Sequence, residues 1–326
     1  FYIDSADLTL PGPLALQGRR NYLSQNQAPN HFGYGWKISL VPFLVVVTNS
    51  DASVVVHAAE MDGSTIVYRK QVDDTYRPTT HDNPMLNNHT TAGIGSTANL
   101  FNARIDRFTN AGTIFYRQTG ADGSTRTYRV RDFPVSTSSS TLLRSRPYLD
   151  TWRDHRGNTL TFFFGTNSAA TDYGQVNRIE SSNGNFLGFY YDAYSRIVEA
   201  YANDGRRLSY HYDRYGDLTS VTLPDQSEVS YEYQHTTFTI TNGAVITTNL
   251  DSTHLVIREN KPDGRALQNI YDGQRRVINQ LAEFDIFFFE TPLPIDAVAA
   301  YATLTQQTRV PIAMGEHTTT RWEFLH

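Results

Sequence analysis

Three short segments of this chain, residues 186–192, 207–213 and 228–234, repeat at a spacing of 21 residues. Tyr191, Tyr212 and Tyr233 are 21 apart, as are Leu187, Leu208 and Val229, and Phe189, Tyr210 and Tyr231. Within each segment these positions alternate, so a β-strand puts all three on one face. That face is apolar and aromatic in every copy. A unit this short cannot bury such a face alone and must stack on its neighbours. The spacing therefore predicts an all-β wall of stacked hairpins whose oily rows cover one another. Tyr191, Tyr212 and Tyr233 are expected to pack between adjacent coils, in preference to stacking on sugars. A wall of this kind contains, displays or binds.

Composition agrees and removes several function classes. The chain has 326 residues, 39% hydrophobic, which suffices for two ordinary domains or one extended array. Its 20 Tyr and 18 Phe favour strands with an apolar body and a wet edge. With net charge −5 and no basic stripe, a nucleic-acid partner is not expected. The absence of cysteine removes disulfides, thiolate nucleophiles and Cys-based metal sites. No apolar run reaches the 18 residues of a membrane-spanning helix. The chain opens at Phe1 with neither methionine nor a basic leader, as expected for the interior of a longer polypeptide.

Along the chain, Leu8-Thr9-Leu10 followed by Pro11-Gly12-Pro13 reads as a strand ending in a turn. Phe32-Gly33-Tyr34-Gly35-Trp36 sets aromatics around two glycines, the mark of a structural corner where backbone passes close to a ring. Asp62-Gly63 and Asp122-Gly123 precede alternating segments and predict tight hairpins, because both residue types tolerate positive φ. Residues 79–98, rich in Asn, Thr, Gly and His, read as a surface loop, with a formal glycosylation sequon at Asn88. The Ser/Thr run 135–141 reads as a linker or exposed turn. The repeats run from about residue 175 to 282. A displaced copy, 263–272, ends in Tyr271-Asp272, so residues 235–262 hold an extra hairpin or a degenerate copy.

At these residues the chain resembles the Rhs/YD-repeat proteins. The matching pattern is a turn glycine, an alternating strand and Tyr-Asp, as in Gly205 to Asp213 and Gly264 to Asp272. The stretch from Asp7 to Leu14, with the Phe32–Trp36 cluster, is similar to the β-region that precedes the repeats in bacterial Rhs proteins. The likeness covers about residues 1–283. It implies a β-shell around a C-terminal toxin in a secreted or surface-exposed bacterial protein. Few repeats are present for a closed shell, and the family's self-cleavage motif and toxin domain have no counterpart, so the resemblance implies an N-terminal wall segment.

From about residue 284 the pattern changes. Residues 284–290 form an apolar run suited to a strand buried on both faces. Asp296 is a good N-cap for a helix to Gln307, and residues 310–316 read as a second buried strand. This β-α-β tail resembles a fragment of the enolase superfamily, near the mandelate racemase group, through Phe289-Glu290-Thr291-Pro292 and Met314-Gly315-Glu316-His317. The resemblance implies Mg²⁺ ligation by Glu290 and Glu316, but a third ligand, a base and a capping domain have no counterpart. A chimeric tail is the expectation.

Three units are thus expected: a β-region (1–141), a repeat array (142–283) and the tail (284–326). Leu187, Phe189, Tyr191, Leu208, Tyr210, Tyr212, Val229, Tyr231, Tyr233 and Tyr271 form the repeat core, while Asp192, Asp213, Gly205, Gly264 and Asp272 shape the turns. The aspartates are expected to accept backbone N–H bonds two residues on, in preference to catalysis or calcium binding. His81 and His89 share a loop without a third metal ligand; His155, His211 and His235 are expected at the surface. No nucleophile elbow or phosphate loop occurs. The expectation is a non-enzymatic structural segment with no cofactor or metal, its partners being the rest of its own polypeptide or neighbouring copies. The alternative is an adhesin or fibre subunit that binds glycans or itself.

Overall fold

The structure is a computed structural model that describes residues 1–61, 65–78, 103–136, 139–242, 245–283, 289–290 and 312–313. Every regular element among them is a β-strand. The first five are β1 (Tyr2–Leu10), β2 (Leu16–Leu23), β3 (Pro29–Asn30), β4 (Gly33–Tyr34) and β5 (Trp36–Ile38). Next come β6 (Phe43–Thr48), β7 (Val54–Ala59), β8 (Thr65–Lys70), β9 (Tyr76–Pro78), β10 (Arg104–Asn110), β11 (Thr113–Thr119), β12 (Thr125–Ser136), β13 (Ser139–Arg153) and β14 (Thr159–Phe164). The repeats supply β15 (Val176–Ser181), β16 (Phe186–Tyr191), β17 (Ile197–Ala202), β18 (Arg207–Tyr212), β19 (Leu218–Thr222), β20 (Glu228–Asn242), β21 (Val245–Asn260), β22 (Ala266–Tyr271) and β23 (Val277–Glu283). In the tail are β24 (Phe289–Glu290) and β25 (Ile312–Ala313).

Strands β6 to β23 belong to one 18-stranded sheet in which each strand pairs antiparallel with the next in sequence. A separate three-stranded sheet, β1-β2-β5, lies against the inner face of the repeats. A Cβ placed on Gly18 of β2 would sit 3.6 Å from Leu187 and 3.8 Å from Leu208. The repeats therefore do more than tile one another: their oily rows close over the N-terminal sheet, which corrects the self-stacking expected from the spacing alone.

The 21-residue period is the length of two strands and two turns. Each turn spans five residues: the first residue's N–H donates to the fifth's carbonyl, and the fourth's N–H donates to the first's carbonyl. Residues 181–185, 192–196, 202–206, 213–217, 223–227, 261–265 and 272–276 all share this pattern. The fourth residue takes positive φ, as at Gly205 (90°), Gly264 (83°) and Ser195 (59°). This is a type I turn closed by a bulge. The Asp122-Gly123 turn has the same form, a tight hairpin as expected, with Gly123 taking the positive φ. Asp62-Gly63 lies outside the described residues.

The register staggers the repeats. Phe189 pairs with Ala200, which pairs with Leu208, so Phe189 is level with Leu208 and not with its counterpart Tyr210. Tyr210 is likewise level with Val229 through Val221. Each copy slides two residues, about 7 Å, along the strand direction. An even slide keeps every side chain on its face.

Two hairpins are longer than the rest. β12 and β13 run into the Ser/Thr segment and pair as far as Ser136↔Ser139, which fits the exposed-turn reading of 135–141 and not the linker; residues 137–138 lie outside the described residues. β20 and β21 pair from Ser230↔Asn260 to Asn242↔Val245, the extra hairpin expected between the repeat copies, with residues 243–244 outside the described residues. In the tail, Phe289↔Ile312 and Glu290↔Ala313 pair in parallel, the direction a β-α-β unit requires. The helix expected over 296–307 and the loop 79–98, with Asn88, His81 and His89, lie outside the described residues.

Candidate functional site

The chemistry of the chain gathers along the seam between the N-terminal sheet and the repeats. Leu187, Phe189, Tyr191, Leu208, Tyr210, Tyr231 and Tyr233 are buried there, and Tyr212, Val229 and Tyr271 are half-buried. Four of the tyrosines make one recurring bond, donating the hydroxyl to the carbonyl 15 residues back: Tyr191 to Val176 (2.6 Å), Tyr212 to Ile197 (2.6 Å), Tyr233 to Leu218 (2.8 Å) and Tyr271 to Val256 (2.8 Å). A buried hydroxyl needs a partner, and a carbonyl of the preceding strand supplies it. Burial pushes all four phenols above their ordinary pKa, so they stay neutral donors.

The turn aspartates are used locally. Asp192 Oδ1 accepts the N–H groups of Tyr194 and Arg196, Asp213 Oδ1 those of Tyr215 and Asp217, and Asp272 Oδ1 those of Gln274 and Arg276. Each carboxylate thus binds two and four residues on. His155, His211 and His235 are exposed.

The Gly-aromatic cluster interlocks with the repeats. The Phe32 and Tyr210 rings lie 4.8 Å apart, and Trp36 and Tyr231 4.9 Å. Trp36 Nε1 donates to the Tyr233 hydroxyl at 2.9 Å. Gly33 has φ of 87°, and a Cβ on it would lie 2.3 Å from the Gly216 carbonyl oxygen. Only glycine admits that approach.

Four polar features of the seam escape a sequence reading. Arg20 is fully buried, bonded to Asp7 (Nε to Oδ2, 2.7 Å) and to the Tyr231 hydroxyl (2.8 Å), with its guanidinium 4.8 Å from the Trp36 ring centroid. Burial works against that charge, but the Asp7 carboxylate outweighs it and holds the pKa above the ordinary value. Asp7 is the extra residue of a bulge between Ala6 and Leu8, which turns its carboxylate toward Arg20. His31 faces Tyr191 with ring centroids 6.4 Å apart; its Nδ1 is buried without a partner, and burial pushes its pKa down to about 4.

The fourth feature is a cluster around Asp217, whose side chain is fully buried. Its Oδ1 is 2.7 Å from His254 Nδ1, and its Oδ2 accepts the Ser252 hydroxyl at 2.6 Å. The His254 ring stacks on Tyr34 with centroids 3.7 Å apart. Desolvation raises the Asp217 pKa against these two donors. The Ser252 hydroxyl is spent on the carboxylate and not turned toward the His254 imidazole, and the trio clamps the long hairpin to the N-terminal corner.

Beside the seam lies a cavity of about 1040 Å³. The loop carrying His31 and Tyr34, the start of β6, the end of β12 and its partner strand β13, the 164–176 connection and the turns at 193–196 and 213–216 enclose it. Among the described residues no group of three or more His, Asp or Glu side chains can hold a metal ion, and Glu316 lies outside them. No described helix is long and apolar enough to cross a membrane.

Fold and seam define a class: an all-β strip of bulged hairpin repeats closed over an N-terminal sheet. A family model described as a domain of unknown function, DUF6531, matches residues 1–68. A second, described as enolase C-terminal domain-like, matches residues 271–326. No curated protein matches the chain. Among solved structures, the Tc holotoxin pore of Photorhabdus luminescens is similar over 73% of this chain and 14% of its own, at 12% identity and TM-score 0.27. TcdB2-TccC3-TEV is similar over 88% of this chain and 18% of its own, at 11% identity and TM-score 0.27. A porin-like protein from Bacteroides uniformis is similar over 74% of this chain and 93% of its own, at 13% identity and TM-score 0.25. The chain thus spans less than a fifth of the two toxin chains.

Proposed function

We propose that the chain is a non-enzymatic structural segment of a secreted or surface-exposed Rhs/YD-repeat protein, forming part of a β-shell that encloses or displays a toxin. The observation that carries this reading is the recurring tyrosine-to-carbonyl bond, made in every repeat with the same spacing of 15 residues. Beside it, the turn aspartates are saturated by backbone donors and the buried Ser252 is bonded to a carboxylate. These particular groups are spent on holding the wall. The match of DUF6531 over residues 1–68, ahead of the repeats, adds the expected order of parts.

The test is limited proteolysis of the intact native protein that carries this segment. Polypeptide following the repeats should resist cleavage, and loosening the seam by Arg20→Ala should expose it. Equal cleavage in both forms overturns the shell reading, as does Mg²⁺-dependent dehydration of sugar acids by the intact chain. A second reading, an adhesin or fibre subunit binding glycans or its own copies, draws on Phe238, Ile240 and Leu250, which are exposed on the β20–β21 arm. Concentration-dependent assembly in sedimentation runs, abolished by Phe238→Ser with Ile240→Ser, would favour it.

A further inference from the structure

The cavity beside the seam carries chemistry that the wall does not need. Its walls bring Tyr148, Tyr173 and Tyr194 together with Arg146 and Arg214. Neither arginine is paired with a carboxylate among the described residues; Arg214 Nη2 donates to the Tyr215 hydroxyl at 2.5 Å. Arg196, also on the wall, is already neutralised by Asp192 at 2.7 Å. The one wall carboxylate, Asp213, turns Oδ1 onto the N–H groups of its own turn. A locally positive chamber therefore opens in a chain of net charge −5.

Two further observations narrow the ligand. First, Tyr194 is 73% exposed at the cavity, an amphipathic ring with the Arg196 guanidinium 5.0 Å from its centroid. Second, His31 Nδ1 is buried without a partner, and His31 lines the cavity. The chamber offers no strand edge at its loops, because the turns at 193–196 and 213–216 and the 170–175 segment satisfy their backbone groups internally. Strands β6 and β13 also line the cavity, and a peptide added to them is the alternative that hexaglutamate tests. Aromatic faces, hydroxyls and guanidinium forks remain, which suit ring C–H faces, sugar hydroxyls and a carboxylate.

We propose that this cavity is a binding site for an acidic oligosaccharide, whose uronic-acid carboxylates are held by Arg146 and Arg214 and whose rings lie on Tyr194 and Tyr148. About 1040 Å³ exceeds the ~300–1,000 Å³ of small-ligand sites, giving room for several linked sugars. The inference goes beyond the wall reading and does not depend on it, since the protease test is indifferent to whether the cavity is filled.

The test is calorimetric titration of the whole chain with three probes: a tetragalacturonate, its methyl-esterified form and hexaglutamate. Tetragalacturonate should bind, and the ester should bind at least about tenfold more weakly because each charge-assisted contact is worth roughly 1.5–3 kcal/mol. Arg146→Gln with Arg214→Gln should abolish that preference while circular dichroism and melting stay unchanged. Arg107→Gln, an exposed change on β10 outside the cavity wall, should leave it intact. No binding of tetragalacturonate, equal binding of acid and ester, equal or tighter binding of hexaglutamate, or an unaffected double variant overturns the proposal.

Discussion

Arg20 and Asp7 give the sharpest test of how the seam is held. Their side chains are 0% and 4% exposed, and they belong to the sheet that the repeats close over. Replacing Arg20 by Met removes the cation, leaving the Asp7 carboxylate with only the long Tyr210 hydroxyl bond (3.4 Å) and the Tyr231 hydroxyl without its donor. Breaking one side of a buried pair costs about 3–5 kcal/mol, because the remaining charge is left desolvated. Replacing both, as Arg20→Met with Asp7→Leu, removes the stranded charge and should return to within about 2 kcal/mol of the parent. The contrast is measurable as urea midpoints of the parent, both single variants and the double variant. A coupling near the cost of one single variant is expected. If Arg20→Met alone costs less than about 1 kcal/mol, or if the two single effects simply add, the pair is not a desolvated unit and the account of the seam fails.

Other positions yield graded outcomes. Tyr233→Phe strands both the Leu218 carbonyl and Trp36 Nε1, whereas Tyr212→Phe strands chiefly the Ile197 carbonyl; at about 1–3 kcal/mol per stranded buried group, Tyr233→Phe should be the costlier in urea melts. Gly33→Ala meets the Gly216 oxygen and should greatly exceed Gly205→Ala, which meets nothing within 4 Å and carries only the roughly 1–2 kcal/mol of left-handed backbone strain. His31 is held neutral by burial, with pKa about 4 against an ordinary 6.5, and Tyr191 and Gln175 face it with no charged group among the influences. Its stability contribution is complete above pH 6.5 and is lost as pH falls toward 4, by about 3 kcal/mol at most. His31→Gln should flatten that segment of the pH–stability curve; an unchanged slope between pH 6.5 and 4 contradicts it.

What the sequence makes legible is face and turn. The 21-residue spacing singles out Leu187, Phe189 and Tyr191 and their counterparts, and the structure turns them inward on one face. Asp192, Asp213 and Asp272 stand where a turn needs a side-chain acceptor, which local chemistry suffices to fix. What the face covers is another matter. Trp36 meets Tyr233 across 197 residues and Arg20 meets Tyr231 across 211, separations at which hydrophobic periodicity carries no information about partners. Arg20 even occupies an apolar alternation, Leu16-Gly18-Arg20-Tyr22, yet a lone arginine there reads as an exposed interruption, because its burial depends on a carboxylate delivered by a bulge at Asp7.

The curl of the wall was hidden for a related reason. Periodicity says that Phe189 and Tyr210 are equivalent, and equivalence invites placing them side by side. Register is decided by turns and bulges, and these put Phe189 beside Leu208 instead. A one-residue slip would have thrown the oily row to the outside, while no slip would have left a flat strip. Two residues per repeat is the smallest slide that keeps parity and still tilts successive strands, and accumulated stagger is what closes or coils a sheet. The bulged five-residue turn, repeated twice in every 21 residues, is thus the element that both keeps the tyrosines inside and bends the strip around the sheet they cover.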